Sequence, residues 1–294
     1  MLVTGSGGFL GNYICNELYL NSIVYTLSRS NSTYDCDLIH NIPIFNENFD
    51  TVIHTAGLAH VIPKSDSEKI HFYNSNIIIT QNLLKGLEKI SVKKFIYISS
   101  VSVYGLSSGN MISEKQALNA TDPYGSSKIF SEKYISNWCE MHDVKLTILR
   151  LPLLIGVNPP GNLNSMIRGI KYGYYFNIAG GRAKKSMVMV SDVSKILMSA
   201  SEIGGIYNLT DTYHPNFLEL SHSISKQLNN KYVLNIPLFI AKIIAKIGDL
   251  FGNWFPLNSS KLSKITSTLT FDDTKAKNAF NWNPQKVIDV FKIK

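Results

Sequence analysis

The chain of 294 residues is 45% hydrophobic and 17% charged, the balance of an ordinary globular protein able to bury one large core or two smaller ones. It holds no run of about 18 uninterrupted apolar residues and starts on an apolar strand, Met1 to Val3, so neither a membrane-spanning helix nor a signal peptide is expected. Its net charge of +8 lies in the second half: residues 1–150 carry 12 basic and 13 acidic side chains, residues 151–294 carry 17 and 8. Such an excess suits a diphosphate-bearing substrate, with a solvated face as the alternative, whereas basic stripes interleaved with aromatics are not evident and nucleic acid is not expected.

The run Thr4-Gly5-Ser6-Gly7-Gly8-Phe9-Leu10-Gly11 follows the first strand and precedes a helical pattern. Glycines placed where a strand turns sharply into a helix suit a dinucleotide pyrophosphate. Gly5 can take a turn conformation barred to most residues, Gly8 lets backbone approach phosphate, Gly11 lets the helix pack on the strand, and the helix N-terminus offers unpaired amides. A plain tight turn would look the same in isolation. Further apolar strands are read at Ile23 to Leu27, Thr51 to His54, Phe95 to Ser99 and Leu146 to Leu149. They alternate with helical patterns as βαβ units require, which predicts a parallel sheet covered on both faces.

The third of these strands ends in hydroxyls, placing Ser99, Ser100 and Ser102 beside the crevice where open α/β sheets bind ligands; a serine-rich loop is the alternative. Pro123-Tyr124-Gly125-Ser126-Ser127-Lys128 then opens a helix running to about Glu140. Tyr124 and Lys128 are four apart, a spacing that stacks both on one helical face. The ammonium can favour the ionised phenol and bring a group with an ordinary pKa of ~10 towards use as a base. A solvated pair on a surface helix is the competing reading. Beyond, Leu151 to Gly161 carries Pro152, Pro159 and Pro160 and marks the crossing into a second region.

Glycine turn, strand-end serine and tyrosine–lysine pair, in this order and spacing, resemble the extended short-chain dehydrogenase/reductase family. The family's TGxxGxxG motif is matched by Thr4, Gly5, Gly8 and Gly11, its strand-end serine by Ser100, and its YxxxK by Tyr124 and Lys128. A family asparagine before a threonine and a leucine-rich helix is matched by Asn76, with Ile79 where glycine usually precedes Thr80. That departure puts the helix's close approach to its neighbours in question rather than the chemistry. The resemblance implies a doubly wound parallel sheet of the Rossmann kind, residues 1–155, with a smaller C-terminal substrate domain, residues 156–294. Domains of the family interleave, so Met187 to Val190 and Ile206 to Leu209 are candidates to return to the sheet.

It also implies roles. Ser100, Tyr124, Lys128 and Asn76 would be catalytic, and Gly5, Gly8, Phe9, Leu10, Gly11, Arg29, Asp37, His54, Ala56, Tyr124 and Lys128 would hold NAD(P). Many NAD-binding relatives carry an acidic residue after strand two; here Leu27-Ser28-Arg29-Ser30 has none, which tilts the reading towards NADP. Asp37 resembles the adenine-contacting aspartate, with a solvated turn as the alternative. Asn162 and Lys185 resemble nucleotide-sugar contacts, Lys185 standing where many relatives carry arginine and so lacking the bidentate fork; Lys264 stands where some relatives carry another phosphate-binding arginine, with a solvated lysine as the alternative.

The group resembled is the bacterial nucleotide-sugar 4-epimerases and 4-keto-reductases of surface polysaccharide synthesis, and the motif residues do not separate the two reactions. Family 4,6-dehydratases carry an Asp-Glu pair after the strand-end hydroxyl where this chain has Val101-Ser102, so dehydration is disfavoured. An alternative is epimerisation of a sugar on polyprenyl diphosphate at a membrane surface; a non-catalytic dinucleotide sensor is the other. Pro237 to Phe255 is apolar or glycine apart from Lys242, Lys246, Asp249 and Asn253, with Phe251, Trp254 and Phe255 near its end. Core or homodimer packing would explain it, and so would a helix resting on a membrane. Cys15, Cys36 and Cys139 and the seven histidines show no metal-ligand spacing, so no metal site is expected, and the odd thiol count suits a reducing cytoplasmic compartment.

Overall fold

Strands that read as near-continuous apolar runs must be covered on both faces, and the computed structural model, which describes residues 1–59, 65–229, 231–251 and 257–293, arranges them so. The first half runs β1 (Leu2–Thr4), α1 (Phe9–Leu18), β2 (Tyr25–Ser28), β3 (Tyr34–Asp35), β4 (Phe49–His54), α2 (Asp66–Leu87), β5 (Val92–Ser100), β6 (Gly109–Ile112), α3 (Pro123–Met141) and β7 (Lys145–Leu151). The second continues with β8 (Leu153–Ile155), α4 (Asn162–Tyr172), β9 (Phe176–Ile178), β10 (Met187–Met189), α5 (Val190–Ile203), β11 (Gly205–Asn208), α6 (Phe217–Gln227) and β12 (Leu234–Ile236). It closes with α7 (Leu238–Phe251), α8 (Ser259–Thr266), β13 (Leu269–Phe271), α9 (Thr274–Phe280) and α10 (Val287–Val290).

Seven parallel strands form the central sheet in the order β11-β7-β5-β4-β1-β2-β3. Alternation along each strand divides the core. Val3, Ile53, Ile96 and Leu149 meet α1, α5 and α9 on one face, while Leu2, Val52, Phe95, Tyr97 and Ile148 meet α2 and α3 on the other. Cys15 and Cys139 are packing residues, one in each layer. Ile79 lies buried in the α2 and α3 layer, so the missing glycine is absorbed by core packing.

Two expectations change. Ile206 to Leu209 does rejoin the sheet, as β11, but Met187 to Val190 does not: β10 pairs with β8 in a separate two-stranded ladder and its chain turns at once into α5. The predicted strand at 23–27 starts two residues late, because Ile23 is 77% exposed in the turn after α1. The second half builds its own core from Ile155, Leu163, Ile170, Met187, Leu220 and Phe291. Of the apolar segment, Asn253, Trp254 and Phe255 lie outside the described residues.

The order in which strands are added reverses between β1 and β4, since β2 and β3 extend one side and β5, β7 and β11 the other. That switch point opens a crevice at the carboxyl ends of β1 and β4. Backbone contact there is close: a Cβ on Gly11 would stand 2.1 Å from the Gly5 carbonyl oxygen, whereas one on Gly7 would meet nothing nearer than 3.9 Å. Gly11→Ala is therefore expected to lose about 2–4 kcal/mol of stability and Gly7→Ala less than about 0.5 kcal/mol, read from urea denaturation midpoints.

Candidate active site

The crevice floor is the glycine turn. Gly5 holds φ +71°, and a Cβ there would fall 2.7 Å from the Ala56 nitrogen, so both conformation and proximity demand glycine. Thr55 locks the two strand ends together by donating its hydroxyl to the Thr4 carbonyl at 2.7 Å. Gly8 is the N-cap of α1, with no side-chain cap and no acidic residue in the first turn, and Gly7 and Gly8 are exposed. Phe9 and Leu10 open the helix; Leu10 is core, and Phe9 is half-buried against Tyr13. Free amides beside bare backbone fit a dinucleotide pyrophosphate.

Across the crevice, β5 ends at Ser100 and α3 begins at Pro123. Asp122 caps α3 by accepting from the Tyr124 and Gly125 amides, and Pro123 occupies the first helical turn, so the sequence Asp-Pro-Tyr starts the helix with Tyr124 at its mouth. The Tyr124 phenol lies beside the Ser100 hydroxyl, which favours its ionised form. Ser100 also accepts from the Ser102 amide and donates to the Ser102 hydroxyl, each at 3.1 Å. Ser99 faces the other way, as strand alternation requires, and donates to Glu132 at 2.6 Å.

Lys128 is buried, its Nζ donating to the Ile98 carbonyl at 3.0 Å and lying 4.8 Å from the Tyr97 ring centroid and 5.9 Å from that of Tyr124. Burial lowers its pKa to about 8, with Glu132 opposing. The expected depression of the Tyr124 pKa does not occur: burial pushes the phenol up, the neighbouring Ser100 hydroxyl pulls it down, and the lysine sits nearer Tyr97. Asn76 accepts from the Leu58 amide at 2.6 Å and donates to the Leu58 carbonyl and to Ser127. It thereby clamps the loop after β4 against α3. A Cβ on Gly57 would stand 3.3 Å from Asn76 Oδ1 and 3.8 Å from Lys128 Nζ, so all three converge.

His54 lies beneath the crevice rather than lining it. It is fully buried, Nδ1 bonded to Thr4 Oγ1 at 2.7 Å and Nε2 to Thr80 Oγ1 at 3.3 Å, and Thr80 reaches Ser131 at 3.1 Å. This polar column ties β1, β4, α2 and α3 together. Below it, the buried Glu132 carboxylate receives Arg150 at 2.7 and 3.0 Å, and Arg150 donates on to Tyr104 at 3.1 Å. Sequence reading passed over Glu132 and Arg150. Glu132 had a signal, one helical turn after Lys128 on the same stripe; Arg150, at the end of β7, had none.

Towards the rim, Arg29 is exposed just beyond β2, and no carboxylate follows that strand; Asp35 of the adjacent β3 is engaged by Ser32. Asp37 receives the Ile39 amide at 3.0 Å and lines a groove of about 440 Å³ between Thr33 to Asp37 and Asn41 to Ile44. In the second half, Lys185 is half-buried and Lys264 exposed on α8, close enough that burial and the Lys264 charge together lower the Lys185 pKa. Two cations predicted separately thus share one locus. Asn162 is exposed as the first residue of α4.

Residues 1–209 match the model of the NAD dependent epimerase/dehydratase family. The chain belongs to that family. Among similar proteins, an N-acetyl-alpha-D-glucosaminyl-diphospho-ditrans,octacis-undecaprenol 4-epimerase of Escherichia coli O157:H7 is 26% identical over 94% of this chain and 88% of its own length. A UDP-glucose 4-epimerase of Vibrio cholerae is 24% identical over 98% and 92%. The fold is shared with a UDP-glucose 4-epimerase from Thermotoga maritima solved with UDP-glucose, at TM-score 0.74 and 21% identity over 98% of this chain and 94% of that one. It is shared too with one from Bifidobacterium longum in complex with NAD+ and UDP, at TM-score 0.73 and 22% identity over 99% and 95%.

In this family member burial, aided by the Lys128 charge, drives the His54 pKa from 6.5 down to about 3, and burial lowers that of His214 as well. The unfolded chain then binds protons below about pH 6.5 that the folded chain refuses, so stability falls as pH falls. Between pH 6.5 and 5, before most carboxylates titrate, His54→Gln is expected to remove a slope of up to about 1.4 kcal/mol per pH unit, measured by urea denaturation across that range.

Proposed function

We propose that the protein inverts carbon 4 of a nucleotide-activated sugar, oxidising it to a 4-keto sugar and reducing it again from the other face. The observation that carries this reading is the placing of the Tyr124 phenol beside the Ser100 hydroxyl at the sheet's carboxyl edge, with buried Lys128 one helical turn behind. A bound dinucleotide supplies the acceptor and donor of the electron pair, held by Gly5, Gly8, Phe9, Leu10, Gly11 and the backbone at Ala56. Tyr124 Oη takes the proton of the 4-hydroxyl during oxidation and returns it on reduction, while Ser100 hydrogen-bonds the same sugar oxygen. Lys128 holds the ribose and keeps a positive charge near the phenol below about pH 8. Asn76 keeps the loop at Leu58 in place behind the lysine.

On the substrate side, residues 156–294 would present Asn162, Lys185 and Lys264 to the diphosphate, an assignment supported by the mutual proximity of the two lysines and the basic excess of that half. The names of similar proteins favour epimerisation over simple reduction. Surface polysaccharide synthesis would use the product, and three free thiols suit a cytoplasmic setting. A second reading, a sugar on a polyprenyl diphosphate, is supported by the relative from E. coli and by α8, which carries Lys264 and packs against the apolar α7.

Incubating the protein with UDP-hexoses and UDP-N-acetylhexosamines, and with their polyprenyl-diphosphate counterparts, while following carbon 4 by NMR, tests both readings. Epimerisation without added reductant is expected, and Tyr124→Phe should lower kcat about 10²- to 10⁴-fold. Stoichiometric NADPH consumption would identify a reductase instead, and a Tyr124→Phe protein with full biological activity would identify a sensor. Exposed Arg29 and the missing carboxylate after β2 support acceptance of a 2′-phosphate, so Arg29→Asp should shift the NADP-to-NAD affinity ratio towards NAD about tenfold or more, measured by dinucleotide fluorescence titration.

A further inference from the structure

Helix α7 is built inside out. A helix on the surface of a globular domain normally turns its large apolar side chains inward, yet the buried residues of α7 are Ala241, Ala245 and Gly248, a narrow stripe seated with Ile178 and Leu262 against α8. At 100° per residue the opposite pole carries Phe239, Ile243 and Leu250, flanked by Ile247, and these are 66%, 57%, 84% and 47% exposed. Core packing, one of the two explanations open from the sequence, is thereby excluded for this face. Such a continuous apolar surface marks a contact with something outside the chain.

Charge identifies the occupant. Lys242 and Lys246, both exposed, lie one helical turn apart along a single margin of the apolar face. Among the described residues neither is paired with a carboxylate, and Asp249, the acidic residue of the helix, is engaged by the Ser259 amide and hydroxyl. A second copy docked antiparallel through this face by a two-fold axis would bring the lysine margins together, four ammonium groups against two Asp249 carboxylates that Ser259 already engages, in a half-chain carrying 17 basic against 8 acidic residues. Anionic headgroups neutralise that margin while acyl chains take the apolar pole. Among the described residues no helix is long and apolar enough to cross a membrane, so the contact is one of lying on the surface.

We infer that α7 lies in the plane of an anionic bilayer, with Phe239, Ile243, Ile247 and Leu250 among the upper acyl chains and Lys242 and Lys246 at the headgroup phosphates. Leu234 of the neighbouring β12 and Phe176, with which it pairs in register, are exposed as well. Because α7 packs on α8, the cationic locus of Lys185 and Lys264 sits one helix away from the lipid.

The test is flotation of the full chain with vesicles of phosphatidylcholine alone or mixed equally with phosphatidylglycerol. The bound fraction is expected to be about tenfold or more higher on the anionic vesicles and to fall with added salt. Phe239→Glu with Leu250→Glu should lower it by about tenfold or more, and Lys242→Gln with Lys246→Gln should remove the salt dependence. All four positions are exposed, and unchanged far-ultraviolet circular dichroism and dinucleotide binding verify that each variant is folded. Failure to float with anionic vesicles overturns the proposal, as does equal flotation of the Phe239→Glu, Leu250→Glu protein. So does a parent dimer that those two changes split while flotation is unaltered. Flotation needs no turnover, so the proposal stands or falls apart from the epimerase reading: a Tyr124→Phe protein is expected to float as the parent does.

Discussion

The pairing of β1 with β4, Val3 against Ile53 and Thr4 against His54, is the constraint on which the site depends. It joins segments 50 residues apart in sequence and sets the glycine turn beside Ala56 so closely that Gly5 has no room for a Cβ. The same pairing puts His54 under Thr4 and makes it the first link in a buried chain through Thr80 to Ser131 on the tyrosine helix. Slippage by one residue would turn every side chain of a strand to the opposite face, exposing this polar column to one apolar layer or the other. Hydrogen bonds inside a low-dielectric core thus select the register as well as stabilise it.

Helix α3 shows how burial and charge are balanced. One stripe carries Tyr124, Lys128, Ser131, Glu132 and Ile135, passing from the crevice to the core within three turns. Desolvation acts on both Tyr124 and Lys128, raising the phenol and lowering the ammonium, so each is moved away from its charged form. Glu132 offsets the loss at Lys128, and Arg150 in turn balances Glu132. Removing Glu132 would leave two buried cations without a counter-charge, far more costly in the interior than at the surface.

The second half follows a different logic. Its own core is small, and its distinctive features are electrostatic and peripheral: a lysine pair on one locus and a helix whose apolar side faces outward. Both suit an amphiphilic setting in which a sugar diphosphate meets a cationic surface near lipid. The sheet half keeps near-neutral charge, with 12 basic against 13 acidic residues.

By itself the sequence determined the elements whose signals are local. The glycine turn, the alternating strands, the Asp-Pro start of α3 and the four-residue spacing of Tyr124 and Lys128 depend on backbone geometry and helical period, which neighbours along the chain set. Only the tertiary structure decided which way side chains face once strands from distant segments are paired. It sank His54 below the crevice, sent β10 to a ladder of its own, placed Lys128 nearer Tyr97 than Tyr124, and left the large residues of α7 outside. Each outcome rests on contacts between residues far apart in sequence, whose burial and pairing no local pattern records.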